Sequence, residues 1–206
     1  MIPRISVNIG SGSYRNVYLF SENVCCKIAK EERRKSFGSF SIGFPSRSYT
    51  MLKFGITDFN VHEYRNYVRL SQRIPEHLRG SFAPIIGIGD MEGGSTLLQE
   101  VVRDYDGQIS LSMLQQGPIT NDEFWKRLFA IRDFLVRERI PFFNINPRKI
   151  LVRRVDDRTM EPVFFDFKRI GVRTFPLQPH LLFWRYSGRK VMREFTELYE
   201  EFGRKS

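Results

Sequence analysis

Cysteine is nearly absent: the only two in 206 residues, Cys25 and Cys26, are neighbours. They are poorly placed to bridge each other, so there is no disulfide framework, and a reducing compartment, the cytoplasm, is expected. Long apolar runs are also missing. Nothing approaches the roughly 18 uninterrupted apolar residues of a spanning helix, and the opening MIPRISVNIGSGS lacks the apolar stretch of a signal peptide. No transmembrane segment is expected, and any membrane contact would be peripheral. Histidine is scarce, and His62, His77 and His180 have no ligand-like spacing, so they read as surface or hydrogen-bonded residues rather than metal ligands. No internal repeat is visible, which sets repeat arrays aside.

What is present is enough to fold. Apolar residues make up 41% and aromatics 14%, with 19 Phe, so the composition is that of a chain with a buried core. The length suits a single domain spanning 1–206. Lys and Arg number 33 against 23 Asp and Glu, a net charge of +10, which favours anionic partners. The basic residues are dispersed rather than gathered in a stripe, so nucleic acid is not the expected partner.

β-Branched and aromatic runs separated by turn formers predict strands at Ile5–Ile9, Asn16–Phe20 and Val24–Ala29. Residues 31–60, rich in Ser and Gly, read as a long connection with little regular structure. Helical spacing predicts a helix over Val61–Gln72 ahead of Pro75, and two more strands follow at Ala83–Gly87 and Ser95–Val102. Thr120 and Glu123 have the spacing of a capping box. They open a helix to Arg139 in which Phe124, Leu128, Ile131 and Leu135 recur at three to four residues. A hairpin of Ile150–Arg154 against Val163–Phe167, then a helix over Leu182–Phe202, completes the chain. The expected class is α+β in two lobes: a small antiparallel sheet with one helix over about residues 1–103, and a reduced helical lobe over about 104–206.

Four separated features could carry chemistry. Gly10 and Gly12 form a turn between strands, and glycines let backbone N–H groups approach phosphate oxygens. Lys27 lies in the apolar strand VCCKIA and could set a fixed positive charge beneath that turn, although strand lysines commonly face solvent. Glu63, on the predicted helix, could pair with Lys27 or simply be an exposed helical glutamate. Asp166 follows three apolar residues in FFDFK and would be costly to bury without a cation. Phe142, Phe143, Phe164, Phe165 and Phe167 read as packing around the loop that precedes it.

The order of these features, with NINPRKILV from Asn144 to Val152 between them, resembles the glycine loop, strand lysine, helix glutamate, catalytic loop and metal-binding aspartate of protein kinases. From about Ile5 to Phe202 the chain is similar to the bacterial YrbL family, of the PhoP regulatory network, whose fold is protein-kinase-like. The most specific stretch is Asn144 to Arg185, through the Pro147-to-Leu151 loop, the Glu161-Pro-Val run, and the region of Pro176 and Trp184. The resemblance implies ATP and magnesium as cofactors. It implies a cofactor-binding set of Gly10, Gly12, Val17, Lys27, Glu63, Glu100, Val102 and Lys149, with Asn144 and Asp166 at catalytic positions and Asp166 as the metal ligand.

Departures from the kinase pattern limit what activity it implies. Asn144 stands where the base aspartate belongs, and an amide cannot accept the substrate proton as a carboxylate would. Lys149 falls on the second metal-ligand position and speaks against metal dependence. Arg15 replaces a third glycine and Lys168 follows Asp166-Phe167, both adding positive charge. The chain after Asp166 is short for the activation segment and docking helices of peptide kinases. The expectation is therefore a pseudokinase or atypical kinase: a nucleotide-binding regulator in a stress response. The alternatives are an atypical ATP-dependent phosphotransferase or nucleotidyltransferase acting on a small or envelope-derived anionic substrate, and a nucleotide-free scaffold that binds an acidic protein. In that last case Lys149 would pair internally with Asp166.

Overall fold

The computed structural model describes residues 7–11, 15–29, 35–37, 40–44, 58–91, 94–142, 145–168, 170–171 and 183–203. The first apolar runs form β1 (Val7–Ser11), β2 (Arg15–Ser21) and β3 (Val24–Ala29). Two short strands follow, β4 (Lys35–Phe37) and β5 (Phe40–Phe44), paired antiparallel. The stretch expected to hold little regular structure thus contains a strand pair. Its signal is the apolar alternation in Phe40–Phe44, which the Ser and Gly content obscures.

Helix α1 (Phe59–Ser71) begins two residues before the expected start because Asp58 caps it, accepting from Asn60 N at 2.7 Å and Val61 N at 3.2 Å. Ser95 Oγ donates to the same carboxylate at 2.8 Å and fastens the helix start to the sheet. β6 (Ile85–Met91) and β7 (Gly94–Glu100) then complete a five-stranded antiparallel sheet of order β1-β2-β3-β7-β6, with α1 packed on β3, β6 and β7. β6 starts later than expected. Ala83 N is already bonded to Phe164 O at 2.8 Å, so the chain before Pro84 serves the other lobe.

That lobe contains β8 (Leu111–Ser112), α2 (Met113–Gln116), α3 (Asp122–Arg137), β9 (Ile150–Arg154), β10 (Met160–Phe164) and α4 (Trp184–Phe202). The cap of α3 is Asn121, whose Oδ1 accepts from Phe124 N at 2.9 Å, and not Thr120 as expected. Asn121 also donates to Arg158 O at 2.6 Å, a second bond that an exposed Thr120 does not make. The capping box belongs instead to Ser112 and Gln115 at α2. Among the described residues no helix is long and apolar enough to cross a membrane.

Phe124, Leu128, Ile131 and Leu135 of α3 are all buried, facing Val191, Phe195, Leu198 and Phe202 of α4 across a shared core. Aromatic rings carry that core toward the sheet lobe. Phe164 stacks on Phe82 at 5.9 Å between centroids and also meets Phe142 at 5.6 Å and Phe195 at 6.2 Å. Truncating so enclosed a ring leaves a cavity as well as losing burial. Phe164→Ala is expected to cost about 3–5 kcal/mol, read as a lower urea midpoint with an unchanged m-value.

Candidate functional site

β3 runs through the middle of the sheet between β2 and β7, so Cys25, Cys26 and Lys27 are all buried. A lysine there must find partners for its ammonium. Lys27 Nζ donates to Glu63 Oε1 at 2.8 Å and to Phe165 O at 2.9 Å, and lies 5.8 Å from the Phe165 ring centroid. Glu63 is fully buried on α1 and is shared: Arg15 Nη2 of β2 lies 2.5 Å from its Oε2. Arg15 Nη1 donates to Asn60 Oδ1 at 2.8 Å, and Asn60 Nδ2 donates to Lys27 O at 3.0 Å and Ser95 O at 2.6 Å.

Asn60, Glu63 and Asn66 follow one another at steps of three on α1 and form a buried polar stripe. Asn66 Nδ2 reaches Phe167 O at 3.0 Å and Ile170 O at 3.1 Å, and Phe167 N donates to Glu63 Oε1 at 3.3 Å. These bonds explain a difference from the sequence expectation. β10 ends at Phe164 rather than Phe167, because the backbone groups of Phe165 and Phe167 are taken by side chains of β3 and α1 instead of a strand partner.

Asp166 therefore sits beyond the strand, 7% exposed, beside Lys27 and Glu63. Its Oδ2 faces Lys168 Nζ at 3.2 Å and Lys149 Nζ at 3.7 Å, and its Oδ1 accepts from Lys168 N at 3.3 Å. Lys149 closes a 3-10 turn, Pro147–Lys149, whose Asn146 side chain accepts from Arg148 N.

Burial pushes the Asp166 carboxyl up, but Lys168, Lys149, Arg15 and Lys27 outweigh it and hold it well below the usual carboxylate range. Glu63 follows the same pattern: burial raises it, while Arg15 and Lys27 bring it down. Burial lowers Lys27; Glu63 opposes that, while the like charge of Arg15 lowers it further.

Lys27, Glu63, Lys149 and Asp166 thus meet in one network. Gly10 is opposite Val17, and Val17 opposite Lys27, on three successive strands. Glu100 and Val102 stand apart from it. Lys27 is opposite Leu97, so Glu100 is about 10 Å further along β7, and Val102 lies beyond it, its carbonyl bonded to Ser110 N. Gly12, Asn144, Phe143 and His180 lie outside the described residues. Sequence reasoning missed the roles of Arg15 and Asn60. The triplet spacing of polar residues on α1 was the available signal for Asn60.

The protein resembles the Rio2 kinase of Chaetomium thermophilum, solved with ADP, magnesium and a phosphoaspartate. The TM-score is 0.58 at 14% identity over 98% of this chain. The fold is protein-kinase-like. The chain spans 57% of the Rio2 chain. Looser similarity, each at TM-score 0.47, links the kinase-like chain to WbdD bound to a kinase inhibitor (17% identity, 78% of this chain, 32% of that one) and to the PknI kinase domain of Mycobacterium tuberculosis (12% identity, 80% of this chain, 59% of that one). No protein-family model matches the sequence, and no curated protein matches it.

Magnesium needs oxygen ligands in near-octahedral order. Among the described residues no group of three His, Cys, Asp or Glu could hold a metal ion, and the nearest carboxylate, Asp166, already faces two ammonium groups. Asp166, facing both ammonium groups, does not fit that ion as it stands.

The depressed carboxyls of Asp166 and Glu63 set a sign for pH dependence. Their unfolded counterparts titrate near about pH 4, so below that pH the unfolded chain binds more protons and stability falls. Urea midpoints should hold from pH 7 to about pH 5 and then drop steadily, and Asp166→Asn should flatten the drop.

Proposed function

We propose that this chain is a kinase-like nucleotide-binding protein, with ATP as the expected nucleotide, that acts as a regulator. One observation carries the proposal: Lys27 is held between Glu63 Oε1 and Phe165 O, so its charge is fixed at the junction of β3, α1 and the Asp166 segment. An ammonium immobilised in this way is pre-organised to meet phosphate oxygens. The glycine turn at Gly10, one strand beyond Val17, suits a backbone approach to the same phosphates. Rio2, which shares the fold, was solved with ADP, which supports a nucleotide as the ligand class.

The resemblance to the YrbL family supports a place in a PhoP-type bacterial stress network, in the cytoplasm, with an acidic protein or a small anion as further partner. Asn144 at the base position supports regulation over catalysis.

A second reading has its own support. The Lys149–Asp166 pair, at 3.7 Å, is what a nucleotide-free scaffold would use to fill its cleft. Calorimetry with ATP separates the two. The nucleotide reading expects binding that Lys27→Met weakens by about tenfold or more, as for loss of a charged hydrogen bond. No heat at millimolar ATP removes it in favour of the scaffold, and an unaffected Lys27→Met variant removes Lys27 as the group that carries it.

A further inference from the structure

The cleft has an inner and an outer layer of charge. In the inner layer Arg15 and Lys27 share Glu63, with side-chain exposures of 7%, 5% and 0%. In the outer layer Lys149 and Lys168 share Asp166, and their side chains are 16% and 19% exposed. Among the described residues each layer holds one more cation than carboxylate. The outer surplus is the more exposed of the two.

We infer that Lys149 and Lys168 take the place of a divalent cation, so that the cleft binds a nucleoside polyphosphate as the metal-free anion. This rests on the nucleotide reading and extends it to the ionic form of the ligand. A metal ion approaching Asp166 Oδ2 would sit against two ammonium groups in a poorly solvated site, where like charges repel strongly. Oδ1 is occupied by the Lys168 amide. Each ammonium is a compact positive charge that serves phosphate as a metal ion would, without needing an octahedron of oxygens.

Both lysines are also held in place. Lys149 N is bonded to Asn146 O at 3.0 Å at the end of its turn. Lys168 is fixed through its own amide, and the preceding Phe167 is anchored on both sides, its carbonyl by Asn66 and its amide by Glu63. An ammonium has three N–H donors, so Lys168 can hold Asp166 and a phosphate oxygen together. Magnesium neutralises part of the phosphate charge and so weakens the pull of the surplus cations.

The test is calorimetry of the full chain with ATP, once in EDTA and once in excess magnesium, repeated with Lys149→Met and Lys168→Met after thermal melts show that each is folded. Affinity in EDTA should equal or exceed that in magnesium, and each variant should lose about tenfold in EDTA. Should Lys149→Met fail to fold, the more exposed Lys168→Met decides. Binding that magnesium strengthens, or unchanged affinity in the folded variants, overturns the inference while leaving the nucleotide reading in place. Absence of binding in both buffers overturns the two together.

Discussion

Glu63 holds two cations out of water, and much of the structure between the lobes follows from that. Its carboxylate meets Lys27 from β3, Arg15 from β2 and the amide of Phe167 beyond β10. Removing one partner of such a pair leaves an uncompensated buried charge, a cost of roughly 3–5 kcal/mol. The arrangement is therefore one of mutual constraint. The helix cannot shift without leaving two cations unpaired, and the Asp166 segment cannot return to the strand without surrendering the bonds from Lys27, Asn66 and Glu63. Asn60 completes the lock by tying Arg15 to the carbonyls of Lys27 and Ser95.

The same cluster is unbalanced in charge, and this shapes its chemistry. Among the described residues four cationic side chains face two carboxylates, a surplus that attracts anions. A site built around a metal ion needs the opposite surplus, with oxygen donors exceeding fixed cations. Arg15 and Lys168 are what tip the balance. Both are long cationic side chains that take up the carboxylates.

Much of the fold was legible in the sequence because the signals were local. Val24–Ala29 was readable to the residue, since an apolar run interrupted by Lys27 alone and opening after a turn suits a central strand. The α3 stripe from Phe124 to Leu135 was equally clear, because helical spacing records which face is buried. The failures came where a competing partner intervened. The cap moved from Thr120 to Asn121 because Asn121 also bonds Arg158. β10 stopped at Phe164 because side chains distant in sequence claim the next backbone groups. The strand pair of β4 and β5 was hidden by composition, since Ser and Gly signal loops unless their alternation with apolar residues is weighed.

The sequence by itself determined which residue types occur and in what order: a glycine turn, a lysine within an apolar strand, a glutamate on a helix, an aspartate after three apolar residues. It also determined that Glu63 and Asn66 lie three residues apart on one helix, a matter of period alone, whereas Asn60 lay outside the helix it predicts. Which charge meets which was decided only by the tertiary structure. Arg15 could have faced solvent, and Lys149 and Lys168 could have pointed away from Asp166. Ion pairing acts over a few ångströms between atoms that the chain keeps far apart until the sheet, α1 and the Asp166 segment have packed together, so no local pattern in the sequence records it.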